Sequence, residues 1–143
     1  MNEQDIKEIL QIILDSLQGK EAIWHLAGSA NLKVQNVDIS VRDLDITTND
    51  NGIFIFRNAL KEFIVKDFFN QKINSNSLIC DINDFEVEIN SYQNEELLML
   101  DKTKKILWND LQIPITPLED SKKFYGLINR KEKVNLISKY LSG

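Results

Sequence analysis

The sequence of 143 residues has one cysteine, Cys80, and one histidine, His25. A single thiol excludes an intramolecular disulfide framework and is the usage expected of a reducing, cytoplasmic compartment. One histidine and one distant cysteine cannot build a zinc site. No apolar run approaches the roughly 20 residues needed to cross a bilayer. The opening MNEQDIKEIL is acidic where an export signal would be basic. Basic side chains are outnumbered, 17 Lys and Arg against 22 Asp and Glu, for a formal net charge of −5. No broad basic face for nucleic acid is therefore expected. There is also no internal repeat, linker or low-complexity segment. What remains is an ordinary globular composition, 43% apolar and 27% charged, in a length that suits one domain around one core.

The apolar spacing sets out the elements in order. Ile6, Ile9, Leu10, Ile13 and Leu17 form the stripe of an amphipathic helix over 2–17, stopped at Gly19. A central strand is predicted over Glu21–Ala27, apolar on both faces except at His25, which is read as a satisfied structural histidine. Gly28 then gives a tight turn, and a short helix over 29–32 would aim its N–H groups at an anion. After a loop or irregular strand over 33–40, a second strand spans Val41–Thr47 and ends in the turn-forming TTNDNG. Ile53, Phe56, Leu60, Phe63, Ile64 and Phe68 predict a helix over 53–69. Strands over 77–82 and 85–92 are joined by Asn83-Asp84.

The last third holds a helix or strand over 95–100 and a hairpin of 104–108 with 111–115 about Asn109-Asp110. Pro114 and Pro117 demote the second arm to an edge or an exit. A helix over 118–127 follows, then a final helix N-capped by Asn129 with Glu132 three residues on. The expected fold is α+β: a small mixed sheet with helices packed against it, a C-terminal hairpin and a helical tail. It would be one domain over 1–143, with its core at about 20–92 and an extension at about 93–143.

Two strand segments carry acids. Asp43 and Asp45 project from one side of an extended chain, about 7 Å apart. Two carboxylates so placed repel each other unless a cation lies between them, and hard ions such as Mg²⁺ take oxygen ligands of this kind. Further on, Glu86, Glu88 and Asn90 face away from Phe85, Val87 and Ile89. Cys80, Trp24 and Trp108 are read as core residues. From Glu119 onward six basic residues stand against three acids, a modest basic patch able to steer an anion.

Gly28-Ser29 after a strand, followed by Asp43-Leu44-Asp45 within the next, resembles the signature of the nucleotidyltransferase superfamily. That superfamily includes DNA polymerase beta, the kanamycin and lincosamide nucleotidyltransferases and minimal nucleotidyltransferase proteins. The resemblance covers residues 20 to 90 best. Pro117-Leu118-Glu119-Asp120, Tyr125 and Arg130-Lys131-x-Lys133 are similar to the close of small bacterial and archaeal proteins of that fold. The resemblance implies a magnesium-dependent transfer of a nucleoside monophosphate from a nucleoside triphosphate to a hydroxyl. Asp43, Asp45 and a third carboxylate would hold two Mg²⁺ ions. The family pattern favours Glu88 over Glu86 for the third, which would also be the general base.

Gly28 and Ser29 would hold the β and γ phosphates. Some members carry a further glycine or an arginine next, whereas this chain has Ala30-Asn31-Leu32-Lys33, leaving Lys33 as the candidate basic contact. The acceptor would be a small molecule such as an antibiotic, a protein or an RNA, the last two in toxin–antitoxin pairs. A homodimer or a partner protein would complete its pocket. The alternative is a nucleotide-binding or antitoxin module that keeps the fold without turnover.

Overall fold

In the computed structural model, which describes Met1–Gly143, the chain opens with α1 (Glu3–Ser16), β1 (Trp24–Ala27), α2 (Gly28–Val34), β2 (Leu44–Thr48) and α3 (Asp50–Ala59). Three strands follow: β3 (Ile64–Asn70), β4 (Ser75–Ile82) and β5 (Phe85–Tyr92). The chain ends with α4 (Glu95–Leu98), β6 (Lys104–Trp108), β7 (Leu111–Ile115), α5 (Leu118–Leu127) and α6 (Lys131–Ser142). All seven strands form one sheet in the order β3-β4-β5-β2-β1-β7-β6. The β2–β5 and β1–β7 contacts are parallel and the others antiparallel. The mixed sheet with helices against it is the architecture expected from the sequence.

Alternation along the strands divides the sheet into a greasy face and a polar one. Leu26 of β1, Leu44 and Ile46 of β2, and Val87 and Ile89 of β5 bury themselves in a core with Ile6, Ile9, Leu10 and Ile13 of α1 and Ile53 and Phe56 of α3. Burying each such side chain stabilises the fold by about 1.5–3 kcal/mol. Their neighbours His25, Asp45, Thr47, Glu88 and Asn90 therefore emerge on the opposite face. A smaller cluster of Leu32, Val37, Tyr125 and Ile137 holds α5 and α6 against α2 on that side.

Both hairpin turns use residues that tolerate left-handed backbone. Asn83-Asp84 have φ of +55° and +67°, and Asn109-Asp110 have +46° and +68°, the two positive values that a two-residue hairpin turn needs. At the start of the chain, Asn2 and Asp5 exchange backbone and side-chain hydrogen bonds in a capping box.

Four expectations are corrected. The helix predicted over 53–69 ends at Ala59, and 64–70 is the edge strand β3. Phe63, Ile64 and Phe68 continue the helical spacing, but KDFFN pairs with β4 instead, its Lys66 and Asp67 exposed. Asn129 does not cap the last helix. It stands at φ +62° just past α5, where its N–H bonds to Gly126 O and that of Arg130 to Tyr125 O at 2.8 Å. That pair of bonds is a Schellman closure, which favours asparagine or glycine at this position.

The third correction is β7, which lies inside the sheet between β1 and β6 despite Pro114; its ladder to β1 is the single pair Leu26–Ile115. The proline's missing donor is tolerated because almost no ladder exists on that side. Finally, β2 begins at Leu44, so Asp43 sits in the bend that leads into it.

Candidate active site

The site grows from the ends of β1 and β2. Gly28 follows the last residue of β1 with φ +64°, a conformation that costs other L-residues about 1–2 kcal/mol. A Cβ on it would come within 2.3 Å of Asp45 Oδ2. Glycine is needed there twice over, for its backbone and for the carboxyl lying against it. Asp45 is paired with Ala27 across β1 and with Glu88 across β5. The strand register thus brings the Gly28 turn, Asp45 and Glu88 into one row.

Electrostatics mark the row. Asp45 is pushed up to about 7, first by burial and then by facing Asp43, Glu88 and Glu86. Hydrogen bonding between this carboxyl and that of Glu88 adds to the rise at Asp45 and opposes it at Glu88. Burial also raises Glu88, and the Asn90 side chain draws it back down. Asn90 is buried and accepts at Oδ1 from Ser77 Oγ at 2.6 Å, so its amide nitrogen is left for Glu88. Glu86, the other candidate, is exposed. The three acids Asp43, Asp45 and Glu88 share one neighbourhood, yet no three His, Cys, Asp or Glu side chains close round a single point.

Asp43, Asp45, Gly28 and Ser29 line a cleft of about 300 Å³. Its far wall is Tyr92, Phe124, Tyr125, Ile128, Arg130 and Lys133. Lys133 Nζ, on α6, donates to Ser29 Oγ at 3.4 Å. Lys33 lies in the last turn of α2 and is absent from the cleft lining. The basic group nearest the Gly28-Ser29 turn is therefore Lys133, from the far end of the chain. Of the C-terminal basic residues, Arg130 and Lys133 alone reach the cleft. Burial raises Tyr92 and also lifts Tyr125 to about 12, with Asp45 adding to both; both phenols stay protonated.

Two buried links, neither legible in the sequence, hold this arrangement. Asn31 of α2 donates to Thr116 O at 2.9 Å and to Ser121 Oγ at 3.0 Å, and accepts from Thr116 N at 3.0 Å. Thr116 Oγ1 donates to Leu26 O. Together they fasten the helix after Gly28 to the exit of β7 and to α5, which carries the aromatic wall. The partners are 85 to 90 residues apart in sequence.

The remaining candidates are structural. His25 is buried, its Nδ1 2.7 Å from Thr103 Oγ1, and burial lowers it to about 4. Trp24 packs edge-on to Phe56 with centroids 5.9 Å apart. Trp108 lies half-buried on the core. Cys80 is fully buried and raised to about 11 by burial, an unreactive thiol. No helix is long and apolar enough to cross a membrane.

No family model matches the sequence, and no curated protein matches it either. Solved structures do match in shape. TM1012 from Thermotoga maritima, a supposed nucleotidyltransferase, superposes with a TM-score of 0.79 at 22% identity, over 99% of this chain and 96% of that one. The antibiotic-resistance factor ANT(2'')-Ia gives 0.68 at 8% identity, over 98% and 86%. The lincosamide antibiotic adenylyltransferase LnuA, bound to lincomycin, gives 0.62 at 13% identity, over 96% and 97%. The chain has the nucleotidyltransferase fold. Within that fold, the Gly28-Ser29 turn, Asp43 and Asp45 lie together at one cleft, with Glu88 beside Asp45.

Proposed function

We propose that the chain transfers a nucleoside monophosphate from a nucleoside triphosphate to an acceptor hydroxyl, releasing pyrophosphate. The observation that carries this reading is the placement of Asp45: against Gly28, in register with Glu88, and at the mouth of a cleft that also holds Ser29 and Lys133. Ser29 and Lys133 bind the β and γ phosphates there. Glu88 takes the proton of the acceptor hydroxyl, whose oxygen attacks the α-phosphorus as the bond to the β-phosphate bridge breaks. Asn90 keeps Glu88 ionised enough to accept that proton.

The donor set suits Mg²⁺. Asp45 and Glu88 present carboxyl oxygens in mutual contact, neither forms an ion pair with a basic side chain, and Asp43 lines the same cleft. These three residues would hold the metal, which when bound supplies charge neutralisation at the phosphates. A second reading is a nucleotide-binding module of the same fold without turnover. It is favoured by the failure of any three acids to gather round one point.

Calorimetric titration with nucleoside triphosphates and Mg²⁺, then transfer of an α-labelled nucleotide, separates the two. Binding with labelled product, lost in Asp45→Asn, is the expected result. Binding without product on any acceptor would establish the module instead, and no binding would end both readings.

A further inference from the structure

A second hollow adjoins the cleft and has no part in the chemistry described above. It is larger, about 520 Å³, within the range of small-molecule sites. Tyr92, Phe124, Ile128 and Arg130 line both spaces, so the two are continuous. Sheet order fixes which substrate belongs there. Asp45 on β2 is flanked by β1 on one side and β5 on the other. The Gly28-Ser29 turn and its phosphates lie on the β1 flank. Glu88, which takes the acceptor's proton, lies on the β5 flank, and Tyr92 is four residues further along the same face of the same strand.

The chemistry of the hollow selects its occupant. No carboxylate is among its lining residues. Lys72, exposed on the turn between β3 and β4, forms no ion pair, whereas Arg130 is engaged by Glu132. Tyr92 and Phe124 pack together with centroids 5.9 Å apart and form an aromatic wall. Asn74 and Asn94 add amide donors and acceptors at the rim. A polycation finds no counter-charge in such a space, while a planar ring finds a stacking surface and an anion finds a free ammonium.

Resting on the nucleotidyl-transfer reading, we propose that this hollow seats the acceptor and that the acceptor is a nucleotide unit: an aromatic base with a phosphate, either free or at the hydroxyl end of a strand. Its hydroxyl oxygen forms the new bond to the α-phosphorus, its proton passes to Glu88, and pyrophosphate leaves on the β1 side.

The test uses the full chain with Mg²⁺ and α-labelled ATP against three acceptors: uridine monophosphate, a short RNA with a free terminal hydroxyl, and tobramycin. Label on the mononucleotide, the RNA or both, with none on tobramycin, is expected; which of the two is labelled tells the free unit from the strand end. Lys72→Glu should raise KM for the labelled acceptor by about tenfold or more, whereas Lys20→Glu, an equal charge change away from the hollow, should not. A thermal melt checks that both variants are folded. ATP binding with label on tobramycin, with no label on either nucleotide acceptor, or with Lys72→Glu and Lys20→Glu behaving alike, would overturn the assignment while leaving the transfer reading intact. Absence of binding to any of the four nucleoside triphosphates would instead remove the reading on which it stands.

Discussion

Ser77 on β4 donates through Oγ to Oδ1 of Asn90 on β5, at 2.6 Å and fully out of solvent. The bond fixes which way the Asn90 amide points and leaves its nitrogen to hold the Glu88 carboxyl down against the upward push of burial. Asn90→Ala should therefore raise the Glu88 pKa. The acid limb of the pH–rate profile for nucleotide transfer should move up by about one pH unit. Activity lost at neutral pH should return in alkaline buffer. A loss uniform across pH would mean that Asn90 serves packing alone.

Gly28 and Gly19 offer a matched pair. Both have positive φ, +64° and +79°, but an added Cβ meets Asp45 Oδ2 at Gly28 and nothing within 4 Å at Gly19. Alanine at either should destabilise the fold by about 1–2 kcal/mol through the backbone alone. Only Gly28→Ala should also displace Asp45 and lower the transfer rate, by about a hundredfold or more. Denaturant midpoints and initial rates on the two variants check the contrast.

Asp45 links stability to pH. Its folded pKa of about 7 lies above the ordinary 3.8. Between those values the folded chain keeps a proton that the unfolded chain has released, so stability falls as pH rises through this window. Asp45→Asn removes the buried charge and keeps the shape. The variant should melt with the wild type near pH 4 and several degrees above it at pH 8, where the gap is at most about 4 kcal/mol. His25, lowered to about 4, works in the opposite sense below 6.5, but it is common to both proteins and cancels from the difference. Thermal melts at the two pH values read it directly. Mg²⁺ should then stabilise the wild type more than the variant.

Lys133 and Lys33 separate the cleft from the neighbouring surface. Lys133→Met should weaken binding of a nucleoside triphosphate by about tenfold. Lys33→Met, at the end of α2 and outside the cleft lining, should leave it unchanged. Isothermal titration distinguishes them, and equal effects would refute the placement of the phosphates beside Ser29.

The row of acids was legible because it rests on local rules. Alternation put Glu88 opposite Val87 and Ile89, and the Asn83-Asp84 and Asn109-Asp110 turns declared their hairpins through residues that accept positive φ. What local pattern could not reveal was which distant segments meet. Lys133 reaches Ser29 across 104 residues. The wall of Tyr92, Phe124 and Tyr125 assembles only after α5 folds across the polar face. Two errors came from real local ambiguity. Phe63, Ile64 and Phe68 satisfy a helical period by spacing, yet Phe63 closes a 3-10 turn and Ile64 and Phe68 sit in an edge strand. Asn129 fits either end of a helix until the hydrogen bonds to Tyr125 and Gly126 choose one.

The outermost strands carry a last implication. The sheet is open, ending at β3 on one rim and β6 on the other. β3 shows exposed Lys66 and Asp67 and a shift in register between Ile64 and Lys66, and β6 begins with exposed Lys104 and Lys105. The adjacent lysines of β6 repel a second copy seeking to add its own strand there, and the irregular ladder of β3 offers that copy no straight template. A concentrated solution is thereby guarded against fibrous self-association without any element being spent on covering the margins.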